Sequence, residues 1–222
     1  MERLQSITFD RKPPRPKMNH IEDIFKYFES LFGSEPKTEL DFSTDLELLV
    51  AVMLSAQCTD KRVNLVTPTL FSKYRTLQDY ADADQVELER IIYSINYFKT
   101  KAKHLKLMAK RVLDEFGGVI PNTLEDLIKL SGVGRKTASV FLSEFHKTPA
   151  MPVDTHVARV AFRLGWTKSK NPAQIERDLM AILPRDQWTR WHQYMVLFGR
   201  YHCTARTKSC TWDSKSKTVL CN

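Results

Sequence analysis

Two groups of residues in this 222-residue chain have the types and spacing for chemistry. The first is Leu130-Ser131-Gly132-Val133-Gly134-Arg135-Lys136-Thr137-Ala138, where two glycines stand two apart between short amphipathic segments. Glycine at both positions permits positive φ and bares consecutive backbone N–H groups at a helix N-terminus, a cradle suited to an anion such as a DNA phosphate. The string also reads as an ordinary helix-turn-helix corner that reverses direction on glycine. The second group is Cys203, Cys210 and Cys221, three of the four cysteines, all within the last twenty residues. That crowding suggests metal ligation or leftover thiols rather than a disulfide framework.

Composition sets the partners that either group could meet. Lys and Arg number 34 against 26 Asp and Glu, a net charge of +8. Such a balance favours polyanions, because each phosphate neutralised by a cationic side chain releases condensed counterions. The length permits one large or two small domains that bury roughly 70% of their unfolded surface, which excludes a disulfide-stapled miniprotein. The longest strongly apolar run, Leu48 to Leu54, falls far short of the roughly 18 residues of a membrane span. The N-terminal stretch has no apolar region of a secretory signal, so a soluble protein in a reducing, cytoplasmic compartment is expected.

Helices must position these residues. Only 7 glycines occur, with no Asn-Gly or Asp-Gly pair to turn a tight hairpin. Ile21, Ile24, Phe25, Phe28 and Phe32 share one face of a helix that should end in a left-handed cap at Gly33. Thr44-x-x-Glu47 has capping-box spacing ahead of a run that is apolar on every side, as in a central buried helix. Further helical patterns cover about 61–74, 85–95, 99–116 (closed by Gly117-Gly118), 123–130, 135–146, 155–164, 172–183 and 187–201. The fold class is therefore all-α, with about ten helices. Residues 1–17, with Pro13, Pro14 and Pro16 among basic residues, read as a flexible basic arm. Residues 204–222 lack a helical period, so something other than a core must order them.

Taken together, Leu54-Ser55-Ala56-Gln57-Cys58-Thr59-Asp60, the glycine hairpin, Val153-Asp154-Thr155-His156 and Gly199-Arg200-Tyr201-His202-Cys203 resemble the endonuclease III family of helix-hairpin-helix DNA glycosylases with associated abasic-site lyase activity. The resemblance runs from about Met18 to Cys210. It implies two helical domains with a DNA-binding cleft between them: a six-helix barrel domain over 38–148 that ends in the hairpin, and a second domain joining 18–37 to 149–222.

By the same resemblance Lys136 is the nucleophile and Asp154 the catalytic aspartate, while Gly132, Val133, Gly134 and Arg135 contact DNA. Physical chemistry is compatible with both catalytic roles. An amine near the positive end of a helix, beside Arg135 and partly desolvated, is more readily neutral, and a carboxylate at a helix start is favoured in its charged form. Gln57 and Tyr97 stand where the family fills the gap left by an extruded nucleotide. Asn96 replaces the family glycine, and Tyr97 is bulkier than the usual leucine. A lysine at 136 sets the chain apart from adenine-mismatch glycosylases, which remove the base without cutting the strand.

The family commonly binds a [4Fe-4S] cluster through Cys-x6-Cys-x2-Cys-x5-Cys. Here Cys203-x6-Cys210 is kept, Asp213 takes the third position, Val219 the fourth, and Cys221 comes two residues late. The ligand set is incomplete. Three readings stand: a cluster on Cys203, Cys210, Cys221 and Asp213, a loop without metal, or a single zinc ion.

The function implied is removal of oxidised pyrimidines from duplex DNA with strand cleavage through a lysine Schiff base. Alternatives are a glycosylase of the same fold with other lesion specificity, or a non-catalytic DNA-binding module. The implied partner is double-stranded DNA carrying damaged bases or abasic sites, met by a monomer in the bacterial cytoplasm at the nucleoid, with no membrane association.

Overall fold

The computed structural model describes residues 18–222. The basic arm read over 1–17 lies outside them. The chain groups into two compact units: Glu35–Pro152 with Arg185–Gln193, and the described residues up to Ser34 with Val153–Pro184 and Tyr194–Asn222.

In the first unit, α2 (Asp45–Ser55) is the central element, with Leu46 and every residue from Leu48 to Leu54 buried. Around it lie α3 (Asp60–Lys73), α4 (Leu77–Asp82), α5 (Gln85–Ile91), α6 (Phe98–Phe116), α7 (Leu124–Leu127) and α8 (Arg135–Glu144). The Thr44 hydroxyl accepts from the Glu47 N–H at 3.2 Å, but the Glu47 carboxylate takes the Ser43 N–H at 2.6 Å instead of that of Thr44. The reciprocal box is thus displaced by one residue. A full box occurs at Thr76 and Asp79, which opens α4, a six-residue helix too short for its apolar period to register in the sequence. The pattern over 123–130 yields only the single turn of α7, and that over 85–95 stops at Ile91.

In the second unit, α1 (Met18–Phe32) ends as its spacing predicts: Gly33 has φ +80° and its N–H returns to the Glu29 carbonyl. Next come α9 (Thr155–Arg163), α10 (Pro172–Ile182) and α11 (Trp188–Tyr201), which follows a 3-10 turn over Arg185–Gln187 and carries the division between the units. Phe28 and Phe198 pack tilted with 4.7 Å between centroids, and the Tyr194 hydroxyl donates to the Gly33 carbonyl at 2.7 Å.

Among the described residues, one element departs from the all-helical expectation. Strands β1 (Cys210–Asp213) and β2 (Thr218–Cys221) pair antiparallel, Cys210 opposite Cys221 and Asp213 opposite Thr218. The Asp213 carboxylate accepts the N–H groups of Lys215 and Ser216 and so organises the turn. Four-residue strands give too few alternations to read in advance; the pairing that orders this tail is a contact between residues eleven apart.

Candidate active site

The glycine hairpin forms where it is expected, but its two glycines do different work. Only Gly132 has positive φ, +77°, and a Cβ there would lie 2.8 Å from His104. Gly134 is extended (φ −86°, ψ 172°) and is the N-cap of α8, with open space where a Cβ would be. Gly134 makes no side-chain cap hydrogen bond to the first turn of α8, and the helix dipole favours an anion there. Lys136 is the second residue of that turn and, like Arg135, is exposed. The partial desolvation expected for Lys136 is therefore not supplied by its own unit.

Asp154 is the N-cap of α9. Its Oδ1 accepts the N–H groups of His156 and Val157, each at 2.8 Å, which fixes the carboxylate at the positive end of the helix. The helix itself is pinned to the cysteine loop. Arg159 donates to the carbonyls of Gly199 and Cys203 at 2.7 Å, and Arg163 to that of Thr204 at 2.8 Å and to that of Thr207. Gly199 packs so closely on His156 that a Cβ would come within 2.8 Å of it.

Gln57 and Tyr97 are exposed, and both adopt the left-handed conformation, φ 55° and 60°. For residues other than glycine this costs of order 1 kcal/mol each and marks functional sites more often than chance. The two line one pocket of about 170 Å³ together with Met53, Ala56, Lys101 and His104. Lys101 is the residue that sequence reasoning passed over. Its stem is buried, and its Nζ donates to the carbonyls of Leu54 at 2.8 Å and Ala56 at 2.7 Å, at the C-terminus of α2. Burial pulls its pKa below the ordinary lysine value, against the opposing pull of the Cys58 thiol. The available signal was a lysine in register with Leu105, Met108 and Val112 on the buried face of α6.

The cysteine loop brings Cys203, Cys210 and Cys221 together, with ligand atoms within 4.8 Å of one another. Sγ of Cys210 is 2.7 Å from that of Cys203 and 2.6 Å from that of Cys221. Burial raises all three thiols above the ordinary cysteine range, and the Arg163 guanidinium, 3.1 Å from Cys203 Sγ, pulls the other way. Asp213 does not join them. Strand residues alternate faces, so Cys210 and Trp212 share one face with their partners Cys221 and Val219, while Asp213 lies on the other and spends its carboxylate on the turn. The residues supply three thiolates of the four-ligand set that a [4Fe-4S] cluster takes in this loop, and the set is not complete.

A glycine hairpin opening into a helix that carries a lysine, among described residues that are helical apart from one two-stranded sheet, defines a helix-hairpin-helix protein. The comparisons agree: residues 50–185 match the model of the HhH-GPD superfamily base excision DNA repair protein. Endonuclease III of Bacillus subtilis is 42% identical, over 87% of this chain and 85% of its own, and that of Synechocystis 44% identical over 77% and 78%. A solved structure of a trapped endonuclease III–DNA covalent intermediate superposes with a TM-score of 0.82 at 40% identity, covering 86% of this chain and 90% of that one. The chain belongs to the endonuclease III family. It is a base excision repair DNA glycosylase with associated abasic-site lyase activity, and so a DNA-binding enzyme. No helix among the described residues is long and apolar enough to cross a membrane.

Proposed function

We propose that this chain removes oxidised or ring-saturated pyrimidines from duplex DNA and then cuts the strand, with Lys136 as nucleophile and Asp154 as the carboxylate that assists it. The observation that carries the reading is the place of Lys136, one residue inside a helix whose glycine N-cap puts no side chain in the way of a phosphate at the positive end. A strand held on that turn, by Gly132, Val133, Gly134 and Arg135, sets a sugar beside the amine. A solved structure of endonuclease III, 40% identical, is of a trapped covalent intermediate with DNA, and a covalent bond to DNA calls for a nucleophile on the protein.

The chemistry follows from the two groups. The amine of Lys136 loses its proton, attacks C1′ of the extruded nucleotide, and the C1′–N bond breaks with its electron pair leaving on the base. Opening of the sugar ring, which takes up a proton on O4′, converts the adduct into an iminium. That cation acidifies the C2′ hydrogen; loss of the proton and departure of the 3′ phosphate cut the strand. Asp154, fixed by two backbone donors, offsets the positive charge that develops on the sugar and takes up the proton of the amine. Bound DNA supplies the desolvation that the exposed Lys136 lacks in its own unit. Gln57 and Tyr97 enter the gap, at a cost in unstacking of a few kcal/mol.

The partner is double-stranded DNA with damaged bases or abasic sites, bound by a monomer in the bacterial cytoplasm at the nucleoid. No step passes through the cysteine loop. Strand pairing and Arg163 hold that loop, and the third and fourth cluster positions are Asp213 and Val219, so we read it as a loop ordered without a [4Fe-4S] cluster.

Borohydride trapping tests the assignment. Reduction in the presence of a duplex with an abasic site should leave a covalent protein–DNA adduct that disappears in Lys136→Ala. An undiminished adduct in that variant would move the nucleophile elsewhere, and no adduct in the parent protein would leave a glycosylase without lyase chemistry or a DNA-binding module.

A further inference from the structure

The two residues read as entering the duplex stand forty positions apart in sequence, on separate loops that meet in one unit. What joins them is a set of donors from residues 96–101 to the carbonyls at the end of α2. The Asn96 side-chain amide donates to the Gln57 carbonyl at 2.6 Å, and the Lys101 ammonium to those of Leu54 and Ala56. The Lys101 N–H in turn holds the Tyr97 carbonyl at 3.0 Å. Helix C-termini leave carbonyls without intrahelical partners, and here Lys101 of α6 meets those of Leu54 and Ala56, while Asn96 meets that of Gln57 just beyond the helix. Lys101 does this from a buried stem, Asn96 from the surface beside the two tips.

We propose that Asn96 is a positioning residue: it clasps the Gln57 loop to the Tyr97 loop so that both side chains enter the duplex as one two-pronged wedge. This rests on the reading that Gln57 and Tyr97 fill the gap of the flipped nucleotide. Both have left-handed backbones that residues other than glycine leave unless neighbours hold them, and the hydrogen bond from Asn96 ends on the peptide carbonyl of one strained residue while its own chain leads directly into the other. A glycine at 96 has no amide to give. The Gln57 carbonyl would then turn to water, and the separation of the two tips would no longer be fixed.

The test compares Asn96→Gly and Asn96→Asp with the parent enzyme; aspartate keeps the size but sets a carboxylate against the carbonyl. Single-turnover excision of a ring-saturated pyrimidine from duplex DNA is measured beside duplex affinity and beside strand cleavage at an abasic site in single-stranded DNA, where no base stack has to be entered. Both variants should slow duplex excision about five- to tenfold, the share of one hydrogen bond, with single-strand cleavage unchanged and with duplex affinity unchanged in Asn96→Gly, which adds no charge. If both variants excise at the parent rate while Gln57→Ala and Tyr97→Ala are slow, the wedge stands and the clasp is overturned. Parent rates in Gln57→Ala and Tyr97→Ala as well would overturn the wedge and the clasp with it. Single-strand cleavage falling in step with duplex excision would make Asn96 a residue of the fold and also overturn the proposal.

Discussion

His104 of α6 occupies the space that a side chain on residue 132 would need: a Cβ built on Gly132 comes within 2.8 Å of both its Cβ and its Nδ1. The φ of +77° at Gly132 makes the position doubly restrictive. Gly132→Ala should therefore destabilise the protein by about 1–3 kcal/mol, from overpacking and an unfavourable backbone. Thermal unfolding measures it, and an unchanged midpoint would mean that the hairpin can re-form around a side chain.

Gly134→Ala should behave in the opposite way. Nothing stands within 4 Å of its Cβ, and its backbone is one that alanine adopts readily. Stability should fall by no more than about 1 kcal/mol, the preference of an N-cap for glycine over alanine, while duplex affinity, read by fluorescence anisotropy, falls because a methyl group crowds the approach of a phosphate to the positive end of α8. Unaltered affinity would take the hairpin out of the DNA contact.

Asp154→Asn separates catalysis from capping. Asparagine caps helices as well as aspartate does, so the start of α9 should survive, whereas Asp154→Ala should cost about 1 kcal/mol of stability. The charge is lost in both. Turnover should drop at least a hundredfold, about what the loss of one stabilising group costs, with duplex affinity nearly constant. Equal losses in turnover and affinity would assign Asp154 to DNA binding.

Glu144, at the end of α8, is buried, and burial raises its pKa against the opposing pull of Gln193, Lys147 and the Thr38 N–H. The folded state then binds its proton more tightly than the unfolded chain does. The stability from this group is complete below the ordinary glutamate range and is lost as pH rises through the raised value. Glu144→Gln keeps an oxygen for the Gln193 amide and should remove that loss. Denaturant midpoints followed from acid to neutral pH should fall less in the variant than in the parent; parallel curves would contradict the shift.

The cysteine loop yields a test of its own. Protein prepared under anaerobic, iron-replete conditions should be colourless with iron well below four per chain, and chelators should leave its unfolding midpoint in place. Arg163→Gln, by contrast, should expose the stretch between Cys203 and Cys210 to limited proteolysis, since Arg163 holds the Thr204 and Thr207 carbonyls. Four irons and four sulfides per chain, with brown colour, would show that the cluster is retained on an altered ligand set.

Much of the scaffold was legible in advance because its signals are local. The positions of α1, α2, α6, α9 and α10 follow from apolar spacing and caps within a few residues, such as Gly33 after Phe32 and Gly117 after Phe116. The same holds for the glycine turn ahead of Lys136 and for Asp154 at a helix start. The six-residue α4 escaped because its period does not complete, and α7 is only the first turn of the helix expected over 123–130.

Tertiary structure decided what depends on residues far apart in the chain. That Gly132 leaves no room for a side chain while Gly134 does is set by His104, and that the Gln57 carbonyl meets the Asn96 amide is set by a contact between residues 39 apart in the chain. The face on which Asp213 falls, away from the three cysteines, is set by strand register. Local sequence dictates the preference of each segment for a conformation, whereas a hydrogen bond or a steric limit across long separations exists only once the chain has closed upon itself, and no residue type announces its distant partner.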